Sequence, residues 1–186
     1  MEFLTKLERT VLGWLKSVPH LPANIQKWLG DNVWWFAIIG AVLGGIGLLG
    51  LVVALFGNLS TLSSPFVSYY ASSTFITWVI MKTIVALIFA ALEVALLAFA
   101  ITPLKEKQKK GWVLLFAVWL LGAVSVVVNA VLTLNPFSFI TNIIFGAQWL
   151  AVTAYFLFEI HRQFAHVERS AGVKSKVPPR PTTKKE

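Results

Sequence analysis

Long apolar blocks alternate with short polar ones along this chain. Residues 33–56, 112–133 and 139–158 carry no charge, and residues 75–101 hold only Lys82 and Glu93. A helix needs about 20 residues to cross a hydrocarbon core of about 30 Å, and each block meets that length. Backbone in lipid must satisfy its own hydrogen bonds, so helices are the expected form. The alternating polarity of barrel strands is absent. The pattern predicts an all-α integral membrane fold: a four-transmembrane-helix bundle over residues 32–160.

The flanks have patterns of their own. Phe3, Leu4, Leu7, Val11, Trp14, Leu15 and Val18 recur at helical spacing, with Glu2, Lys6, Glu8, Arg9 and Lys16 between them. Residues 1–31 therefore read as a cytoplasmic segment containing an N-terminal amphipathic interfacial helix. Its apolar residues are interrupted by charge, unlike the core of a signal peptide. Pro19-His20-Leu21-Pro22 breaks that helix. Residues 23–29 suit a second short interfacial helix, leading to the headgroup-level anchors Trp34 and Trp35. After Ala165 the chain turns rich in Ser, Lys, Pro and Thr, so residues 161–186 read as a basic, disordered cytoplasmic tail.

Charge adds an orientation. Of the 16 Lys and Arg residues, 15 lie in residues 1–31, in the loop 102–111 or after Phe158. The connections 57–74 and 134–138 carry none. Cytoplasmic loops collect Lys and Arg, so both termini are expected inside. The net charge of +8 belongs almost wholly to that face, which suits anionic lipid headgroups. Topology alone explains this bias, so nucleic acid is not an expected partner. The chain has no cysteine, which excludes disulfides, thiolate nucleophiles and cysteine metal sites.

Each span also shows a face of small or polar residues. In the first it is Ala37, Gly40, Gly44, Gly47, Gly50 and Ala54; in the second Lys82, Ala86, Ala90, Glu93 and Ala100. The third offers Gly122, Ser125, Asn129 and Thr133, and the fourth Ala147, Ala151 and Ala154 with Gln148 and Tyr155 at the edge. Small residues let helix backbones approach closely where water cannot drive association. Gly40, Gly44, Gly47 and Gly50 are therefore expected at helix contacts, within one chain or between two copies.

Charge inside a membrane is expensive and counts as a functional hypothesis. Glu93 is expected about 12 Å from the inner end of its span, at 1.5 Å per residue. Gln148 falls at a similar depth on the fourth span, within hydrogen-bonding range across a bundle. Lys82 lies nearer the outer surface, level with Asn129 and Asn142, and can snorkel outward. Two readings stand. Lys82, Glu93, Asn129, Asn142 and Gln148 line a polar path for a proton, ion or small solute, or they are packing and snorkelling groups.

Catalytic patterns are missing. His161 and His166 are five residues apart and do not share a helix face, so no metal site is expected. No nucleophile elbow or phosphate loop occurs, and no cofactor is expected. Glu159, His161 and Arg162, where the fourth span leaves the membrane, read as a charged collar.

Leu21-Pro22-Ala23-Asn24-Ile25 followed by Trp34-Trp35 is similar to the start of small four-span proteins of reduced-genome bacteria. Ala154-Tyr155-Phe156-Leu157-Phe158-Glu159-Ile160 is similar to the close of their fourth span. The resemblance covers residues 15–162. It implies four spans and a bacterial plasma membrane, and it supplies no site residues. The expected role is a non-enzymatic scaffold, accessory or lipid-interacting protein, alone, as a homo-oligomer or with a membrane protein partner. The alternative is a small channel or proton-coupled transporter using Glu93.

Overall fold

The computed structural model describes residues 10, 13, 19–64, 73–133 and 135–174. Among the described residues four long helices follow one another: α1 (Ala23–Leu62), α2 (Ser73–Lys105), α3 (Lys109–Val131) and α4 (Pro136–Lys174). All four are long and apolar enough to cross a membrane. Most of the predicted N-terminal amphipathic helix lies outside the described residues.

Local chemistry sets the helix ends. Pro22 opens α1, its carbonyl accepting from Ile25 and Gln26 N–H at 2.9 and 3.0 Å. Asn135 caps α4 through Oδ1, which accepts from Phe137 N–H at 2.9 Å. Pro136 fills the first helical position, where its missing N–H costs nothing.

The α2–α3 turn is a Schellman motif. Gln108 N–H donates to Pro103 O at 2.8 Å and Lys107 N–H to Leu104 O at 3.0 Å. That motif places one residue in the left-handed region, normally Gly or Asn; here it is Lys107, at φ 53°. Gly111 then lies against the α2 backbone, where a Cβ would stand 2.7 Å from Leu104 N.

Two helices run further than their apolar blocks. α1 has 40 residues, about 60 Å of helix. Residues 23–29 are its first turns, not a separate interfacial helix. Gly30 lies within this helix, and its missing side chain makes room for Gln163 of α4, whose Oε1 would overlap a Cβ there. At the other end α4 continues to Lys174, so its helix enters the stretch assigned above to a disordered tail. No proline interrupts residues 159–174, and Glu and Ala there favour helix.

Each helix packs on the next, and α1 meets α4 along a shorter seam. Both the start of α1 and the far part of α4 lie at the end of the bundle that carries the α2–α3 turn. Lys107 Nζ donates to Asp31 of α1, and Gly30 meets Gln163. The described parts of the charged segments thus gather at one end, the basic end; the Leu62 end of α1 and the Val131 end of α3 lie at the other, the bare end.

The buried core is concentrated toward the basic end: Ala37, Ala100, Leu104, Trp112, Phe116, Ala154, Leu157, Phe158, Ile160 and Phe164. Three aromatics interlock there. Trp112 stacks on Phe116 with ring centroids 5.4 Å apart, and Phe158 stands edge-on to both at 5.6 and 5.8 Å. Two indoles of α3 stitch it to α4: Trp112 Nε1 donates to Leu157 O and Trp119 Nε1 to Leu150 O, each at 2.9 Å. A buried indole N–H needs such an acceptor.

The glycine stripe of α1 divides. Gly40 and Gly44 face α2, where added Cβ atoms would stand 3.3 Å from Leu97 and 2.7 Å from Val94. Gly47 and Gly50 meet nothing within 4 Å, so they are not helix contacts in this chain. Close packing on α4 instead involves Gly146, where a Cβ would lie 2.3 Å from Val126 Cγ1.

Candidate functional site: a buried carboxylate at the basic end

The predicted polar path is divided among four places. Glu93 is half-buried on α2 and faces α3; a Cβ on Gly122 would stand 3.8 Å from its Oε1. It makes no hydrogen bond to any described residue. Gln148 is exposed on α4, and the expected Glu93–Gln148 hydrogen bond is not formed. The reason is topological. α3 packs between α2 and α4, so the two helices sit on a diagonal, and Gln148 points away from it.

Lys82 turns toward the bare end, with Nζ 5.5 Å from the Trp78 ring. Asn129 and Asn142 line an open pocket of about 280 Å³ between α3 and α4, with Ser125, Val126, Phe145 and Gly146. Their amides are spent locally. Asn129 Nδ2 donates to Ser125 O at 2.9 Å, and Asn142 Nδ2 to Thr133 Oγ1 at 3.4 Å. None of Lys82, Glu93 or Gln148 lines that pocket.

A highly connected polar group among the described residues is one that the sequence assigned to a charged collar. Glu159 of α4 keeps only 4% of its side chain exposed. Its Oε1 receives His20 Nδ1 at 2.7 Å. Its Oε2 receives Leu21 N–H at 3.2 Å and Gln26 Nε2 at 2.7 Å. Gln26 Nε2 also donates to Leu21 O at 2.9 Å, and Tyr155 Oη donates to Pro19 O at 2.8 Å. The whole approach to α1 is thereby fastened to one face of α4, since Tyr155 and Glu159 are four residues apart.

Sequence and local structure explain this arrangement. Pro19 and Pro22 hold residues 19–22 out of helix, so Leu21 N–H has no helical acceptor. A carboxylate is acceptor-only with two oxygens, and it satisfies that amide together with two side chains. Burial is sustained by the neighbours Phe158 and Ile160, themselves 6% and 3% exposed. The spacing of Tyr155 and Glu159, and a His between two prolines, were the only sequence signals. Neither tells which helix the two prolines lie against.

Chemically this is a lock: the carboxylate fastens residues 20–26 to α4. No three His, Asp or Glu residues gather as metal ligands among the described residues. Comparison with protein-family models, curated sequences and solved structures returns no match.

Proposed function

We propose that this chain is a small non-enzymatic scaffold or accessory protein of the membrane, one that holds its N-terminal segment on the inner face. The observation that carries the reading is Glu159, a buried carboxylate spent entirely on residues 20–26. Hydrogen bonds to a charged group contribute about 1.5–3 kcal/mol each, and using them to fix a chain entry suits display or docking of what precedes it. In this reading the basic end is cytoplasmic, the membrane is a bacterial plasma membrane, and anionic headgroups meet the lysines. The short α1–α4 seam, with Gly47 and Gly50 open beyond it, leaves lipid-facing surface for a second copy or a membrane partner.

A second reading makes Glu93 the working group of a channel or proton-coupled transporter. It draws on a half-buried carboxyl with no hydrogen-bond partner among the described residues. Proton and ion flux in proteoliposomes, measured for wild type and Glu93→Gln, separates the two. Equal flux near background supports the scaffold. Flux that needs Glu93 overturns it.

A further inference from the structure

The first turns of α1 and the α2–α3 turn meet at a corner that collects positive charge. Lys105 closes α2 with its Nζ 5.3 Å from the Trp34 ring of α1. Lys107 reaches Asp31 of α1. Lys27 is exposed one helical turn before Asp31, on the same face of α1. Three ammonium groups therefore lie along one short stretch of helix, with the carboxylates of Asp31 and Glu106 beside them, and Lys109 and Lys110 add to the positive side. Glu106, the acidic residue of the turn, is engaged by Gln108 Nε2.

The backbone favours a fixed geometry for these charges. Lys107 sits in the left-handed position at φ 53°, where a glycine would be free of strain. Gly111 brings the two helices of the turn into backbone contact. The corner thus carries its lysines on a close-packed turn. Next to it, Trp28 and Trp35 are 58% and 51% exposed, and exposed apolar residues continue along α1 into the span. Charge at headgroup depth beside an apolar, lipid-facing helix fits one ligand shape: a phosphate ester with acyl chains.

We propose that this corner binds the headgroup phosphate of an anionic phospholipid, with Lys27, Lys105 and Lys107 as its donors and the α1 surface beyond Trp35 as the bed for a chain. The proposal rests on the reading that the basic end meets anionic lipid, and it adds a defined place. Trp34 holds the Lys105 ammonium by a cation–π contact, which pre-orders it toward α1. Lys107 bridges Asp31 and the phosphate.

Native mass spectrometry of the full-length protein in mild detergent, with equimolar phosphatidylglycerol and phosphatidylcholine, tests this. Phosphatidylglycerol is expected to be retained in preference. One lysine near a charged surface is worth about 1 kcal/mol, so Lys27→Gln and Lys105→Gln should each reduce the preference about five-fold. Lys105→Arg keeps the charge and should keep the preference, which separates charge from damage to the fold. The double variant Lys184→Gln/Lys185→Gln removes more charge from the chain end and should leave the preference unchanged. If it lowers the preference as much as the corner variants do, the defined site is wrong and only diffuse attraction survives. Equal retention of the two lipids by wild type overturns the site and the broader lipid reading together. Displacement of bound lipid by millimolar inorganic phosphate would make the corner a small-anion site and overturn the lipid assignment.

Discussion

Glu159→Ala should free the N-terminal segment while leaving the bundle assembled. The substitution removes both acceptors for His20 Nδ1, Leu21 N–H and Gln26 Nε2. Each bond to a carboxylate contributes about 1.5–3 kcal/mol when sheltered. His20 is half-exposed, with 53% of its side chain accessible, so its share belongs at the low end. The released donors can also find water at the membrane edge. A total of about 3 kcal/mol is then reasonable, a change of roughly 150-fold in the local opening equilibrium. Glu159→Gln should behave differently. One amide oxygen can still accept from Leu21 and Gln26, and the new NH2 can donate to a neutral His20 ring. Its cost should be about 1 kcal/mol, the loss of charge assistance. Amide hydrogen exchange at Leu21 in nanodiscs reads this directly. Exchange should rise strongly in Glu159→Ala and only a few-fold in Glu159→Gln, with residues 112–116 unchanged in both. Wild-type protection at Leu21 in Glu159→Ala would refute the lock.

Gly146→Ala should lower the thermal midpoint by an amount equivalent to about 1–3 kcal/mol, because the new methyl overlaps the β-branched Val126. Gly47→Ala, in open space, should match wild type or slightly exceed it; equal losses at both positions would contradict the packing described for α1 and α4. Lys107→Gly relieves a left-handed strain of about 1 kcal/mol and loses a part-exposed ion pair of about 0.2–1 kcal/mol, so stability should hold or rise slightly. A fall beyond about 1 kcal/mol in denaturant titration would show that the Asp31 contact is stronger than an exposed pair. With no native cysteine to interfere, Ser60→Cys should react with impermeant thiol reagent only from outside the cell. Labelling solely from the cytoplasmic side would reverse the orientation.

Four apolar blocks were enough to place four membrane-length helices, and the bunching of Lys and Arg placed the described basic residues around the α2–α3 turn at one end. Both features follow from local composition, since a run of apolar residues near the bilayer thickness has few other solutions. Gly40 and Gly44 were legible as contacts for the same reason: a small-residue pattern at helical spacing leaves room for a neighbour. Their continuation, Gly47 and Gly50, was not, because the pattern cannot tell where the neighbour stops. Glu93 and Gln148 shared a depth, and depth is a one-dimensional quantity that a sequence carries. Whether they meet depends on rotation about each helix axis and on the order of helices around the bundle. There α3 stands between them.

Glu159 shows the converse. By position it ends an apolar block, where a charged residue ordinarily turns to water. Its partners, His20, Leu21 and Gln26, lie 133 to 139 residues away, and no periodicity links them. The sequence by itself determined that four helices are long and apolar enough to cross a membrane and where charge falls between them, because these rest on the free energy of single segments in lipid. Only tertiary structure decided which small residues touch, which polar groups meet and that a collar residue is a buried lock, because those depend on contacts between segments that composition treats as independent.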